Sequence, residues 1–184
     1  VLLIGEPGSG KSTLMHRLAA RLVQRGCDCL CISADPGSPA FGVPGAVVLG
    51  HWQEGAFRRV ALEALCTLDA GRFRLPLVLA VLRLVERAGT APLIVDAPGL
   101  LRGVAAAELL QGLVVGVAPD LVVLLEHEGR PACLPELMVL ARPLTRVRSA
   151  PQARAASAAA RARSRTGLWA RYLGHGVRVR LPLR

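Results

Sequence analysis

The first 25 residues constrain the fold more than any other part of the chain. Val1-Leu2-Leu3-Ile4 is a continuously apolar run, the pattern of a strand buried on both faces of a parallel sheet. Gly5-Glu6-Pro7-Gly8-Ser9-Gly10-Lys11-Ser12-Thr13 follows and is a full match to the phosphate-binding pattern G-x-x-x-x-G-K-[ST]. Residues 11–25 then place Leu14, Leu18 and Leu22, with Met15 and Val23 one step on, at helical spacing. Gly26 stands where a helix-ending glycine stands. Strand, loop and helix in this order aim backbone N–H groups and the helix dipole at an anion. A glycine-rich turn arising by chance would lack these flanks.

Lys11 is the only lysine; every other basic residue is arginine. A compact ammonium suits a cradle around the β- and γ-phosphates better than a planar guanidinium. The loop residues Glu6, Pro7, Gly8, Ser9, Gly10, Lys11, Ser12 and Thr13 are therefore expected to bind a nucleoside triphosphate.

A length of 184 residues fits one α/β domain with a small appendage. Strands are expected at 1–4, 28–33, 92–96, 120–126 and 143–148. Helices are expected at 11–25, 56–68, 75–89, 103–117, 134–141 and 153–173. This alternation implies a mostly parallel sheet flanked by helices. Residues 34–54, with three prolines and four glycines, read as a shaped loop, and 177–182 carries the pattern of one further strand. The expected organisation is a core over 1–150, an arginine-rich helical lid over 151–174, and the start of a further segment over 175–184. The chain opens on Val and enters its first strand at once, which implies residues upstream.

Hydrophobic residues make up 52% of the chain and aromatics only 3%, so the core must be aliphatic. The apolar runs are too short to span a bilayer, no secretory signal is visible, and no membrane partner is expected. Cys27, Cys29 and Cys31 alternate, while Cys66 and Cys133 stand alone. All five read as small apolar fillers in a reducing cytoplasm, which sets the expected location.

The net charge of +10 is unevenly placed, because residues 137–184 hold arginines and no acidic residue. A basic segment on a near-neutral core points to an anionic partner, either nucleic acid or the triphosphate itself. The plainer account is a solvated tail shaped by composition.

Ser12 supplies the hydroxyl that would ligate Mg²⁺. Pro92-Leu93-Ile94-Val95-Asp96 is an apolar strand ending in a carboxylate, at the edge where open α/β sheets bind ligands. Asp96 is the expected metal-side carboxylate; otherwise it is a cap or turn residue. Asp35 follows the second strand and is a candidate for accepting the proton of an attacking hydroxyl; otherwise it is a turn residue before Pro36. Arg161, Arg163, Arg165 and Arg171 flank Trp169 and Tyr172. Arginines on a mobile helix could close over the triphosphate, and Trp169 could either pack that helix down or stack on a base. Asp96-Ala97-Pro98-Gly99 also resembles the D-x-x-G switch of GTPases. The chain contains no asparagine and has used its one lysine, so the guanine-specific N-K-x-D motif is missing.

Four blocks in order resemble the polynucleotide 5′-hydroxyl kinases, the family of the RNA kinase of pre-mRNA 3′-end cleavage and the ribosomal-RNA processing kinase. They are the loop at 5–13, the block from Asp35-Pro36-Gly37-Ser38 to Pro44-Gly45, the block from Leu93 to Pro98-Gly99 and Gly103, and the arginine-rich segment ending Trp169-Ala170-Arg171-Tyr172-Leu173-Gly174. The resemblance implies a P-loop NTPase that uses ATP and Mg²⁺ to phosphorylate the 5′ end of RNA or DNA. Lys11, Asp35, Arg163 and Arg165 would be catalytic, with Arg161 a further lid candidate. Ser12 and Asp96 would hold the metal. Ser33 and Ser38 replace an aspartate and a glutamine common in the family. They motivate two alternatives: a kinase for a small metabolite or nucleoside, and a non-catalytic NTP-binding module.

Overall fold

The structure is a computed structural model, and residues 1–128, 143–174 and 176 are described. Among the described residues there are four helices and a seven-stranded sheet. The elements are β1 (Leu2–Gly5), α1 (Lys11–Gln24), β2 (Leu30–Ser33), β3 (Ala46–Gln53), β4 (Ala56–Ala64), α2 (Arg74–Ala88), β5 (Leu93–Asp96), α3 (Val104–Val117), β6 (Val122–Glu126), β7 (Leu144–Arg148) and α4 (Ala158–Leu173). The sheet order is β4-β3-β2-β5-β1-β6-β7. Strands β2, β5, β1, β6 and β7 run parallel, while β3 and β4 join antiparallel.

Alternation along β1 divides the core. Leu2 and Ile4 face one side, where Leu77, Leu84, Leu109 and Leu113 of α2 and α3 cover the sheet. Leu3 faces the other, against Met15 and Ala19 of α1. Every one of these residues is fully buried and aliphatic or nearly so, as the scarcity of aromatics requires. The end of α1 is the expected one: Gly26 N–H donates to Val23 O and Cys27 N–H to Leu22 O, the paired bonds of a Schellman cap.

Two expectations are corrected. The segment 34–54 is a loop only as far as 45, and β3 occupies 46–53. The segment 56–68 is not a helix but β4 followed by a loop. Phe57, Val60, Ala61, Ala64 and Leu65 mimic helical spacing, yet Glu54 and Gly55 both take positive φ. That makes a two-residue hairpin turn, and Gln53 pairs with Ala56 directly across it. The long pairing with β3 outweighs the local helical pattern, because propensity yields to tertiary contacts. The last helix begins at 158 rather than 153, with the Ser157 hydroxyl capping Ala160 N–H at 3.1 Å.

Cys29 and Cys31 are buried fillers, but Cys27 and Cys66 are exposed thiols, which corrects the reading for those two. Cys133, the helix expected at 134–141 and the strand expected at 177–182 lie outside the described residues. Among the described residues no helix is long and apolar enough to cross a membrane.

Candidate functional site

The carboxyl ends of β1, β2 and β5 lie side by side, since β5 sits between β2 and β1 with Ser33 opposite Asp96 and Leu3 also opposite Asp96. This geometry delivers the loop after β1, Asp35 after β2 and Asp96 at the end of β5 to one edge. A cavity of about 930 Å³ opens there, within the usual size of ligand sites. Its lining includes Lys11, Ser12, Asp35, Asp96, Arg161 and Arg165.

Lys11 begins α1 and is only 8% exposed. Its Nζ donates to Gly5 O at 2.7 Å and Glu6 O at 3.2 Å. Burial pulls its pKa down, and Asp96 and Asp35 oppose that shift. The Lys11 amine sits in an almost water-free position, held by carbonyls that an anion can replace. Pro7 and Gly8 also line the cavity, whereas Thr13 is exposed outside it. Glu6 pairs with Arg102 at 2.9 Å, linking the loop to the segment after β5. Gly10 is the residue before α1, with φ 96°, and the buried Ser9 hydroxyl has no hydrogen-bond partner among the described residues.

Ser12 Oγ donates to Asp96 Oδ2 at 2.7 Å. Asp96 is 3% exposed and its other oxygen, Oδ1, is buried with no hydrogen bond among the described residues. Burial is the main reason that its carboxyl is pushed up to about 6. An orphaned, desolvated carboxylate oxygen beside a serine hydroxyl fits a divalent cation, since such a charge would restore the missing interaction. Among the described residues no cluster of three His, Cys, Asp or Glu could hold a metal alone. That suits Mg²⁺, which takes one or two protein oxygens and completes its shell with water and phosphate.

Asp35 accepts on one oxygen, Oδ1, from Gly37 N–H at 2.9 Å and Ser38 N–H at 3.0 Å. It is thus the turn residue of the plainer reading, and Oδ2 carries no hydrogen bond among the described residues. Ser33, where the resembling family often has aspartate, is 1% exposed and its hydroxyl accepts from Ala40 N–H at 3.0 Å. Its role here is to hold the 34–45 loop.

On α4, Arg161 and Arg165 are four apart and share a face. Arg165 Nη1 donates to Gly37 O at 3.2 Å, and Arg161 Nη1 to Ala156 O at 2.5 Å. Arg163, two residues between them, lies on another side of the helix, is exposed, and does not line the cavity. The structure thus brings together Lys11, Ser12, Asp35, Asp96, Arg161 and Arg165, and leaves Arg163 outside.

Sequence reasoning missed two contributors. Thr67, Leu68 and Asp69 line the cavity, but the helix expected over 56–68 concealed the first two; the Asp69-Ala70-Gly71 turn was the available signal. Arg154 also lines it. Its segment crosses the loop so closely that a Cβ on Gly8 would lie 2.2 Å from Ala155 N. No local pattern announces that crossing.

This fold, with its glycine loop at the carboxyl edge of a mostly parallel sheet, defines a P-loop NTPase. Residues 5–64 match the family model of the P-loop domain of the mRNA cleavage and polyadenylation factor Clp1. Two solved structures share the fold. One, of a wild-type Clp1p–Pcf11p complex, has a TM-score of 0.75; the other, concerned with an extended Pcf11p–Clp1p interface and ATP loss in a glycine-to-arginine mutant, has 0.69. Each is 14% identical, and the alignments cover 94% of this chain and 48% of the other, so the chain spans about half the length of those proteins. No curated protein matches the sequence. The family-model match over residues 5–64 agrees with the resemblance read from the sequence, and the two structures agree with it in fold.

Proposed function

We propose that this chain is the catalytic module of an ATP- and Mg²⁺-dependent kinase that phosphorylates the 5′-hydroxyl of a polynucleotide. The observation that carries the reading is the convergence of Lys11, the Ser12–Asp96 pair, Asp35 and two arginines on one cavity. Lys11 would move from its two carbonyls onto the β- and γ-phosphates. Ser12 and Asp96 would hold Mg²⁺, which when bound neutralises charge between those phosphates. Asp35, fixed through Oδ1, would present Oδ2 to the attacking hydroxyl and take its proton. Arg165, with Arg161, would leave its backbone carbonyl for the transferring phosphoryl group, so that α4 acts as a lid. Catalysis would rest on positioning and charge neutralisation.

The Clp1p neighbours were solved in complex with a protein, Pcf11p, which favours a second reading. In it the chain is an NTP-binding module that holds a protein partner in an mRNA-processing assembly without turnover. Transfer of labelled γ-phosphate from ATP to short 5′-hydroxyl RNA and DNA, with Lys11→Ala as control, decides between them. Label lost in the control supports the kinase. Nucleotide binding without transfer to an oligonucleotide, a nucleoside or a metabolite supports the module.

A further inference from the structure

Helix α4 has no fully buried residue, and Leu168 alone among its large apolar side chains is half-buried. Trp169 and Tyr172 are each 41% exposed. Their rings meet edge to face at 5.9 Å, and the Arg59 guanidinium of β4 sits 5.2 Å from the Tyr172 centroid. At 100° per residue, Arg161, Arg165, Trp169 and Tyr172 fall on one face of the helix. The first two line the cavity. The aromatic pair therefore continues the same stripe away from it, with Tyr172 roughly 10 Å beyond Arg165 at 1.5 Å per residue. The helix contains four arginines and no acidic residue, and among the described residues none of those arginines forms a salt bridge.

From this stripe we infer that Trp169 and Tyr172 form a stacking platform for the bases of single-stranded polynucleotide that follow the 5′-terminal nucleotide. The inference rests on the kinase reading for the direction in which the strand runs. Exposed aromatics interleaved with arginine are the recognition chemistry of single strands: every base offers a π-face, and the arginines track the phosphates. Arg161 and Arg165 on the same face take the backbone role, while Arg163 and Arg171 lie off the stripe and add to the positive field of the helix. Arg59, over the Tyr172 ring, adds one more cation. The one-sided positive charge calls for a polyanion and the exposed rings for flat apolar faces, and single-stranded nucleic acid supplies both.

The test uses the full chain, a fluorescein-labelled 5′-hydroxyl decanucleotide and an unlabelled 5′-hydroxyl dinucleotide. The double variant Trp169→Ala/Tyr172→Ala should bind the decamer at least about tenfold more weakly, since stacking contributes roughly 1–3 kcal/mol per base. Phosphoryl transfer to the dinucleotide should be unchanged. A Trp52→Phe background leaves Trp169 as the sole indole, and the decamer should quench its fluorescence. Decamer affinity unaltered in the double variant, as expected if the stripe serves a protein, overturns the platform while leaving the kinase reading intact. Stripe-dependent binding without transfer to any acceptor upholds the platform and removes the kinase. A wild-type chain that binds no decamer overturns the platform outright.

Discussion

Ser12 and Asp96, 84 positions apart in sequence, share a 2.7 Å hydrogen bond that spends one carboxylate oxygen and strands the other. The pair joins the first turn of α1 to the end of β5. It leaves a buried, unsatisfied Oδ1 at the edge where the phosphate loop opens.

Asp96 should make the nucleotide-free protein pH-sensitive. Burial raises its carboxyl, while Lys11 and the Ser12 hydrogen bond pull the other way, and the result is about 6 against an ordinary 3.8. The native state holds this proton more tightly than the unfolded chain, so this group's contribution to stability falls as pH rises from about 4 through about 6. Thermal melts should show Tm rising on acidification from pH 7 to 5 and the rise should vanish in Asp96→Asn. That variant should also melt a few degrees higher at pH 7, given about 2–4 °C per kcal/mol at this length. The Mg²⁺-dependent part of the ATP thermal shift should shrink below pH 6 and be lost in Asp96→Asn. A wild-type melt indifferent to pH over this window contradicts the burial argument.

Lys11→Met should retain the fold and lose the triphosphate. The ammonium is desolvated, donates to two carbonyls and forms no salt bridge among the described residues, so removing it breaks no direct ion pair. Circular dichroism should be unchanged, whereas the ATP-induced thermal shift should fall from several degrees to about none. Retention of that shift would mean that the nucleotide binds elsewhere.

Gly8→Ala should disturb two segments at once. Gly8 has φ +78°, and the added methyl would run into Ala155 and Arg154 backbone. A non-glycine residue there costs on the order of 1 kcal/mol in strain before the collision is counted. Hydrogen exchange of residues 151–157 should accelerate, and nucleotide affinity should drop. Unchanged exchange in that segment would show that it does not lie on the loop.

Arg165 and Arg163 should separate in transfer kinetics. Arg165→Ala removes a guanidinium that lines the cavity and touches Gly37 O. If the kinase reading holds, kcat on a dinucleotide should fall by about 10²–10³. Arg163→Ala should cost that substrate far less. Equal losses would sink the assignment of the cavity face.

How much of this was legible in advance differs from element to element. The strand, loop and helix over the first 25 residues could be read locally, because apolar runs and glycine spacing encode them directly. So could Asp96, since a carboxylate ending an apolar strand must emerge at the sheet edge. The β3–β4 hairpin could not be read that way. Its second strand carries helix-like spacing, and pairing over eight positions with β3 decided the matter. The phase of α4 was also hidden: with no residue buried, the helix has no apolar periodicity that says which arginine faces the cavity. The 67–71 loop and the Arg154 crossing came into view only with the fold in place, for they meet the glycine loop across more than 50 residues of chain.

The sequence by itself determined a glycine cradle with its lysine and serine, an aliphatic parallel sheet to carry it and a carboxylate at a strand end, because each of these is set by neighbouring residues. The tertiary structure alone decided which arginines reach the cavity, which loop walls it and which aromatics stand exposed beside it. Those outcomes depend on the relative placement of elements distant in sequence, and no local pattern of side chains encodes that placement.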